Sequence, residues 1–171
     1  MDQVKIFAPA SVANVSCGFD VLGFCLEPVG DEMVIRKVES SGLKITKIVG
    51  ESLPLDVKKN VAGSAAEAML KAHPQKVGFE IEIYKNIKAG SGIGSSAASA
   101  AGAVFGINEL LGKPFTAHEL IAFAMEGEAL ASGSAHADNV APVLMGGITL
   151  VRSINPIDVI QLPTPKELTA V

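Results

Sequence analysis

The chain has 171 residues, of which 49% are apolar, and this length and composition indicate one globular domain with its own core. Its formal net charge of −4 gives no electrostatic case for binding nucleic acid, and no apolar run of about 18 residues predicts a membrane span. Cys17 and Cys25 form neither a metal-ligand pattern nor a disulfide framework, and the N-terminus lacks the features of a signal peptide. We therefore expect a reduced, cytoplasmic protein.

The first part of the chain is predicted to be mainly β-structure. Residues 4–8 predict a strand that Pro9 closes, and residues 14–24 predict a glycine-containing loop. Residues 32–38 and 43–49 alternate polar and apolar side chains over most of their length. This pattern predicts two strands that pair as a hairpin with one buried face.

The middle of the chain alternates between predicted helices and a strand. Asn60 is a suitable N-cap for a helix over residues 61–73, because Pro74 would end it. Residues 78–84 show the clearest alternation in the chain and predict a strand. A second helix is predicted from about residue 95 to 111, where glycine and proline follow.

The last part of the chain predicts one helix and two strands. Thr116 and Glu119 have the spacing of a capping box, which begins a helix that Gly133 ends. Residues 146–151 and 157–162 predict two late strands. Strands and helices in this irregular order predict an α+β fold, with helices packed on one face of a mostly antiparallel sheet.

A glycine- and serine-rich stretch, residues 88–102, runs directly into the helix predicted to begin at Ser95. Such a loop leaves backbone N–H groups unpaired at the positive end of the helix dipole, where phosphates bind. Glycines allow close approach of a ligand, and serines add hydroxyls for phosphate oxygens or Mg²⁺; these residues are Gly90, Gly92, Gly94, Ser95 and Ser96. The alternative is an ordinary loop followed by a helix that the serines cap.

The stretch differs from two common phosphate-binding motifs and resembles a third. It does not end in Gly-Lys-Ser/Thr, and no acidic residue follows it at the spacing of about 20 that a dinucleotide site needs. "GSGIGSSAAS" resembles the central motif of the GHMP kinases. "APASVANVSCGFDVLGFCLE" (residues 8–27) and "EGEALASGSAHADNVAPVLMGGITLV" (residues 126–151) resemble the motifs of the homoserine kinase family within that superfamily. All three occur in the family's order.

The resemblance implies a fold like domain 2 of ribosomal protein S5, and an enzyme that uses ATP and Mg²⁺ to phosphorylate the side-chain hydroxyl of L-homoserine in threonine biosynthesis. It implies metal ligation by Ser96 and Glu128, although Glu128 would otherwise read as part of a solvated helix face. The matching nucleotide-binding positions are Asn60, Lys88, Ala89, Gly90, Ser91, Gly92, Ile93, Gly94, Ser95 and Ser96. A plain N-cap explains Asn60 equally well, and Lys88 alternatively lies in solvent at a strand end.

The resemblance also implies an amino-acid site. The positions that match it are Asn14, Asp20, His136 and Asp138, and Asn139 is implied to orient the attacking hydroxyl in place of a catalytic base. The two aspartates suit the ammonium group of homoserine as acceptors. As alternatives, Asn14 and Asp20 are turn formers, and His136 and Asp138 are residues at a helix start.

Length is the largest departure from the resemblance, since the family has a second domain with a third glycine-rich motif and arginines. We expect residues 1–162 to form the N-terminal, ATP-binding domain and residues 163–171 to begin the connection to a domain that is absent here. Such a chain would be a weak or inactive kinase alone, with an apolar surface that favours a homodimer. A non-catalytic nucleotide-binding or structural module, or another small-molecule kinase of the superfamily, is the alternative.

Overall fold

The structure, a computed structural model, describes residues 2–133, 136–165 and 168–169. Six strands within these residues form one sheet. The strands are β1 (Gln3–Val15), β2 (Gly18–Val38), β3 (Gly42–Val49), β4 (Gly78–Tyr84), β5 (Ile148–Ile154) and β6 (Ile157–Leu162). Their order is β3-β4-β2-β5-β6, with β1 paired to β2. Every pairing is antiparallel except that of β3 with β4. The predicted α+β class with a mostly antiparallel sheet is confirmed.

Four helices accompany the sheet in the described residues. They are α1 (Val61–Ala72), α2 (Ser95–Leu110), α3 (Ala117–Ser132) and α4 (Val140–Met145), and one 3-10 turn spans Val57–Lys59. The predicted beginnings of the first three are confirmed, with side-chain caps from Asn60 on α1 and Thr116 on α3. Helix α4 begins at Val140, shortly after His136 and Asp138, which agrees with their alternative interpretation as residues at a helix start; its extent was not predicted. No helix of the described residues is long and apolar enough to cross a membrane.

Helix α2 lies at the centre of the fold. Twelve of its sixteen residues are buried, and most of these are alanine or glycine. The small residues allow close approach to the sheet: a Cβ at Gly106 would lie 2.6 Å from a methyl carbon of Ile35 and 2.8 Å from Ile6. Tight packing along its length therefore holds the N-terminus of α2 in a fixed position.

The predicted hairpin of residues 32–38 and 43–49 is wrong. β4 lies between β2 and β3, and β3 pairs with β4 in parallel. The inward side chains of β4, Phe79, Ile81 and Ile83, are almost completely buried, whereas only Ile45 of β3 is. β4 therefore takes the interior position and β3 the edge, with α1 as the crossover that a parallel pair needs.

Two other predictions in the first part of the chain are also wrong. β1 does not close at Pro9 but continues to Val15, because its pairing shifts register just after Pro9, where a proline's missing N–H is tolerated. Residues 18–24 are not a loop but the beginning of β2. Positive φ angles of 58° at Asn14 and 60° at Asp20 mark irregular backbone within this hairpin.

Several large apolar side chains remain exposed, including Phe7, Phe19 and Ile154. Residues 163–165 and 168–169 have no regular secondary structure. The assignment of residues 163–171 to an interdomain connection stays a prediction, as does the homodimer.

Candidate functional site

A cavity of about 420 Å³ lies at the N-terminus of α2. The glycine-rich loop before α2 forms one wall, and Leu53, Pro54 and the start of α1 form another. Of the predicted nucleotide and metal positions, those that line it are Asn60, Ala89, Gly90, Ser91, Gly92, Gly94, Ser95, Ser96 and Glu128. Asn139, the predicted catalytic residue, lines it too. Residues from four separate parts of the chain thus converge on one cavity.

The N-terminus of α2 is built differently from those of α1 and α3. Its N-cap is Gly94, in the left-handed region with a φ of 67°, and no side chain among the described residues caps the helix. The alternative in which serines cap α2 is therefore wrong. Gly94, Ser95 and Ser96 line the cavity, so the first turn of α2 and the positive end of its dipole lie at the cavity wall, which is an arrangement suited to a phosphate.

Ser96 and Glu128 form the polar pair of this cavity. Burial raises the pKa of the Glu128 carboxyl and the nearby Asp138 raises it as well, while a hydrogen bond from the Ser96 hydroxyl and the charge of His136 lower it. Glu128 is only 8% exposed, so it is not part of a solvated helix face. A hydroxyl and a carboxylate that already touch, beside a phosphate position, fit Mg²⁺, which keeps several waters and takes phosphate oxygens as further ligands.

Two of the predicted loop positions, Ser95 and Ile93, make contacts within the protein, and a third, Lys88, lies in solvent. The Ser95 hydroxyl donates to the carbonyl of Ile87 (3.0 Å), so it braces the loop from within. Ile93 does not line the cavity but packs in a small apolar cluster, and its carbonyl accepts from the N–H of Ser11 (3.2 Å). Lys88 is exposed and lies outside the cavity wall.

Asn60 caps α1 and also lines the cavity. Its side-chain oxygen accepts from the N–H of Ala62 (3.0 Å), which confirms the N-cap. Its side-chain nitrogen donates to the carbonyl of Pro54 (2.9 Å) and ties the cavity wall to α1. Its contact with an adenine stays a prediction.

The predicted amino-acid positions meet beside this cavity, outside its lining. The side-chain oxygen of Asn14 accepts from the N–H of Asp20 (2.9 Å), and an Asp20 oxygen lies 3.8 Å from Nδ1 of His136. Burial raises the pKa of the Asp138 carboxyl, opposed by the charge of His136 and by the N–H of Asn139, while Asp20 raises it further. Asp20, from the hairpin of β1 and β2, and Asp138, from the segment before α4, therefore form one acidic group in which each charge affects the other.

Asn139 connects the two halves of the site. Its side-chain oxygen accepts from the hydroxyl of Ser11 (2.9 Å), which is fully buried. This bond leaves the amide NH₂ of Asn139 as the group available to a ligand. Ser11 was not among the predicted site residues.

Comparison with known proteins identifies the chain's relatives. The sequence pattern described as "GHMP kinases N terminal domain" matches residues 60–147, which include the loop, Ser96, Glu128 and Asn139. The chain belongs to the GHMP kinases. Crystal structures of mevalonate kinases, among them that of Methanococcus jannaschii at a TM-score of 0.64 and 18% identity, share the fold of this GHMP kinase domain.

The more similar relatives of this GHMP kinase chain are homoserine kinases. The one from Chloroherpeton thalassium is 47% identical over 98% of this chain and 56% of its own length. The crystal structure of the one from Cytophaga hutchinsonii superposes with a TM-score of 0.90 and 51% identity, covering 96% of this chain and 53% of that one. The chain thus spans about half the length of the relatives it matches.

Sequence reasoning missed a buried ion pair in this GHMP kinase domain. Lys85 lines the cavity and its ammonium contacts the carboxylate of Asp31, with both side chains at most 1% exposed. The signal was present in the alternation: Lys85 continues the inward row of Ile81 and Ile83, and Asp31 precedes the inward Met33. A charge on a face otherwise filled by apolar residues predicts a partner on the neighbouring strand.

Proposed function

We propose that this chain is the nucleotide-binding part of a homoserine kinase, which transfers a phosphoryl group from ATP to the side-chain hydroxyl of L-homoserine and forms O-phosphohomoserine for threonine biosynthesis. The observation that carries the proposal is the uncapped N-terminus of α2, which opens into one cavity with Ser96, Glu128 and Asn139. The names of the relatives support homoserine as the acceptor.

The nucleotide phosphates bind at the first turn of α2, where N–H groups and the helix dipole stabilise negative charge. Ser96 and Glu128 would hold Mg²⁺, which would neutralise charge on the phosphate oxygens. Glu128 binds as a carboxylate, and its raised pKa follows from burial that a cation would offset. Asn60 and the wall of Leu53 and Pro54 then lie where the nucleoside would extend.

The ammonium of homoserine binds to the acidic group formed by Asp20 and Asp138. Asp138 is 2% exposed, and burial raises the pKa of its carboxyl. A cationic ligand favours the ionised form of such a carboxyl, so binding and ionisation support each other. Asn14 holds the turn that presents Asp20, because its side chain accepts from the Asp20 N–H.

Asn139 orients the attacking hydroxyl. An amide cannot accept a proton at neutral pH, so its contribution is position: holding a nucleophile in line is equivalent to roughly 10⁵–10⁸ M of effective concentration, whereas a general base typically adds about 10²–10⁴-fold. Phosphoryl transfer depends mainly on positioning and charge stabilisation. The hydroxyl oxygen bonds to phosphorus as the bond to ADP breaks, and the hydroxyl proton passes late to an oxygen of the transferred phosphoryl group.

The experiment is direct detection of product. The chain is incubated with MgATP and L-homoserine, mevalonate or galactose in separate reactions, and phosphorylated products are identified by ³¹P NMR and mass spectrometry. We expect O-phosphohomoserine as the single product, formed slowly, because the chain spans about half the length of its relatives. Asn139→Ala should lower kcat far more than it raises the KM for ATP, whereas the control Asn155→Ala, at an exposed turn, should leave both unchanged.

The other outcomes separate the alternatives. Phosphorylation of mevalonate or galactose instead would identify another kinase of the superfamily. Nucleotide binding without any product, and without any change of nucleotide affinity when L-homoserine is added, would favour a non-catalytic nucleotide-binding module. An unchanged kcat in Asn139→Ala would refute the positioning role of Asn139.

A further inference from the structure

The buried ion pair of Asp31 and Lys85 contacts both ends of the glycine-rich loop. Asp31 lies on β2, and Lys85 immediately follows β4. The pairing of β2 with β4 places Glu32 opposite Tyr84, so Asp31 and Lys85 continue the same register on the inner face of the sheet. Both lie at the edge of the apolar core, directly below the first turn of α2.

The Lys85 ammonium bonds the end of the loop. It donates to the carbonyl of Ser95 (2.8 Å) and to the hydroxyl of Ser99 (2.9 Å), and its third contact is with Asp31. These contacts use all three of its hydrogens. The first turn of α2 is therefore held from below, and its N–H groups are left to face the cavity.

The Asp31 carboxylate bonds the start of the loop. One of its oxygens accepts from the backbone N–H groups of Asn86 (2.7 Å) and Ile87 (2.9 Å), and the other contacts Lys85. The hydroxyl of Ser95 donates to the carbonyl of Ile87 and joins the two ends directly. Among the described residues, every hydrogen-bond partner of these two side chains thus belongs to residues 86–99 or to the pair itself.

Fold stability alone does not explain an ion pair at this place. Burying two charges is expensive, and apolar side chains of similar volume commonly replace such a pair with no loss of stability. The neighbouring inward positions of both strands hold Met33, Ile35, Ile81 and Ile83, so the core here accepts apolar residues readily. The specific feature of the pair is its set of contacts with the loop.

We propose that Asp31 and Lys85 are positioning residues, a clamp that holds both ends of the glycine-rich loop so that the first turn of α2 is shaped for nucleotide phosphates before a ligand arrives. The clamp rests on the proposed nucleotide site. We expect its effect to be confined to the phosphate part of the ligand. Asn60 and Pro54 lie on the nucleoside side of the cavity, and within the described part of the chain neither forms a hydrogen bond with Asp31 or Lys85.

The test compares the double variant Asp31→Leu/Lys85→Met with the original chain. We measure the affinities for adenosine, MgADP and MgATP by calorimetry, and amide hydrogen exchange over residues 86–99 without ligand. The affinity for MgATP should fall about 10- to 100-fold, which is the usual effect of removing residues that hydrogen-bond to the groups of a binding site. The affinity for adenosine should be unchanged. Exchange over residues 86–99 should accelerate. The control is Arg36→Met/Glu82→Leu, which removes another ion pair between β2 and β4 and should change neither readout.

Unchanged MgATP affinity in the double variant, or equal losses for adenosine and MgATP, would overturn the clamp. If the original chain binds no nucleotide, the proposed function fails, and only hydrogen exchange then tests the clamp. Equal exchange rates over residues 86–99 in the double variant and the original chain would refute it. Should the double variant not fold, Asp31→Asn replaces it. This amide still accepts from Asn86 and Ile87 but presents N–H to Lys85, so exchange should accelerate chiefly over residues 95–99, and unchanged rates there would refute the clamp.

Discussion

Gly94 is a position where one added methyl group perturbs the site directly. Its φ of 67° lies in the left-handed region, and a Cβ there would lie 2.1 Å from the hydroxyl oxygen of Ser11 and 3.2 Å from the side-chain oxygen of Asn139. Ser11 is fully buried and bonded to Asn139, so it has no room to move aside. Gly94→Ala therefore combines backbone strain with a steric clash.

Gly112 separates these two effects. Its φ of 85° imposes similar strain on an alanine, but a Cβ there meets nothing within 4 Å. Left-handed strain is worth about 2 kcal/mol, the middle of its usual range. Overpacking at Gly94 adds about 2 kcal/mol more. For a domain of this size, Gly112→Ala should lower the Tm by about 4–8 °C and Gly94→Ala by about 8–16 °C.

The assay is thermal unfolding followed by circular dichroism, with MgATP affinity measured by calorimetry on the same samples. Gly94→Ala should also bind MgATP more weakly, because its methyl group would separate Ser11 from Asn139 beside the N-terminus of α2. Gly112→Ala should bind MgATP with the affinity of the original chain. If Gly94→Ala has the same Tm as Gly112→Ala and binds MgATP with the original affinity, the close approach of Gly94 to Ser11 is not a steric limit.

Three further substitutions test separate parts of the site. Burial raises the pKa of Glu128 above its ordinary 4.5, so ionisation of this carboxyl opposes folding at high pH. Glu128→Gln should therefore raise the Tm at pH 8, leave it unchanged at pH values below 4.5, and abolish Mg²⁺-dependent nucleotide binding. An equal gain in Tm at both pH values would contradict this explanation. Ser11→Ala frees the Asn139 amide to rotate and should lower the homoserine-dependent kcat by about 10- to 100-fold with the KM for ATP unchanged; an unaltered kcat would refute that positioning. Asn60→Ala removes an N-cap worth about 1 kcal/mol and should lower the Tm by about 2–4 °C. Asn60→Ser, which keeps a capping acceptor but loses the bond to Pro54, should melt between Asn60→Ala and the original chain.

Local sequence signals predicted the helices well. Asn60 and Thr116 accept from N–H groups two or three residues ahead, so the beginnings of α1 and α3 depend on their own neighbourhood. The loop before α2 is equally local, because glycines with positive φ lead directly into the first helical turn. Residues 88–96 could therefore be proposed as an anion site from the sequence alone.

Strand pairing and the supporting shell of the site could not be read in this way. Alternation in β2, β3 and β4 shows which face is buried but not which strand lies beside which, and the insertion of β4 between β2 and β3 depends on how α1 crosses the sheet. The bond from Ser11 to Asn139 joins residues 128 positions apart, and that from Lys85 to Asp31 spans 54.

The amino-acid sequence by itself determined where the first three helices begin, which faces are apolar and which loop we propose for a phosphate, since these features depend on interactions within a few residues. Only the tertiary structure decided which buried charges meet and which hydroxyl orients Asn139. Burial is the physical reason. A polar group in the core must find its partner wherever the packing of the sheet and helices brings one, however distant along the chain.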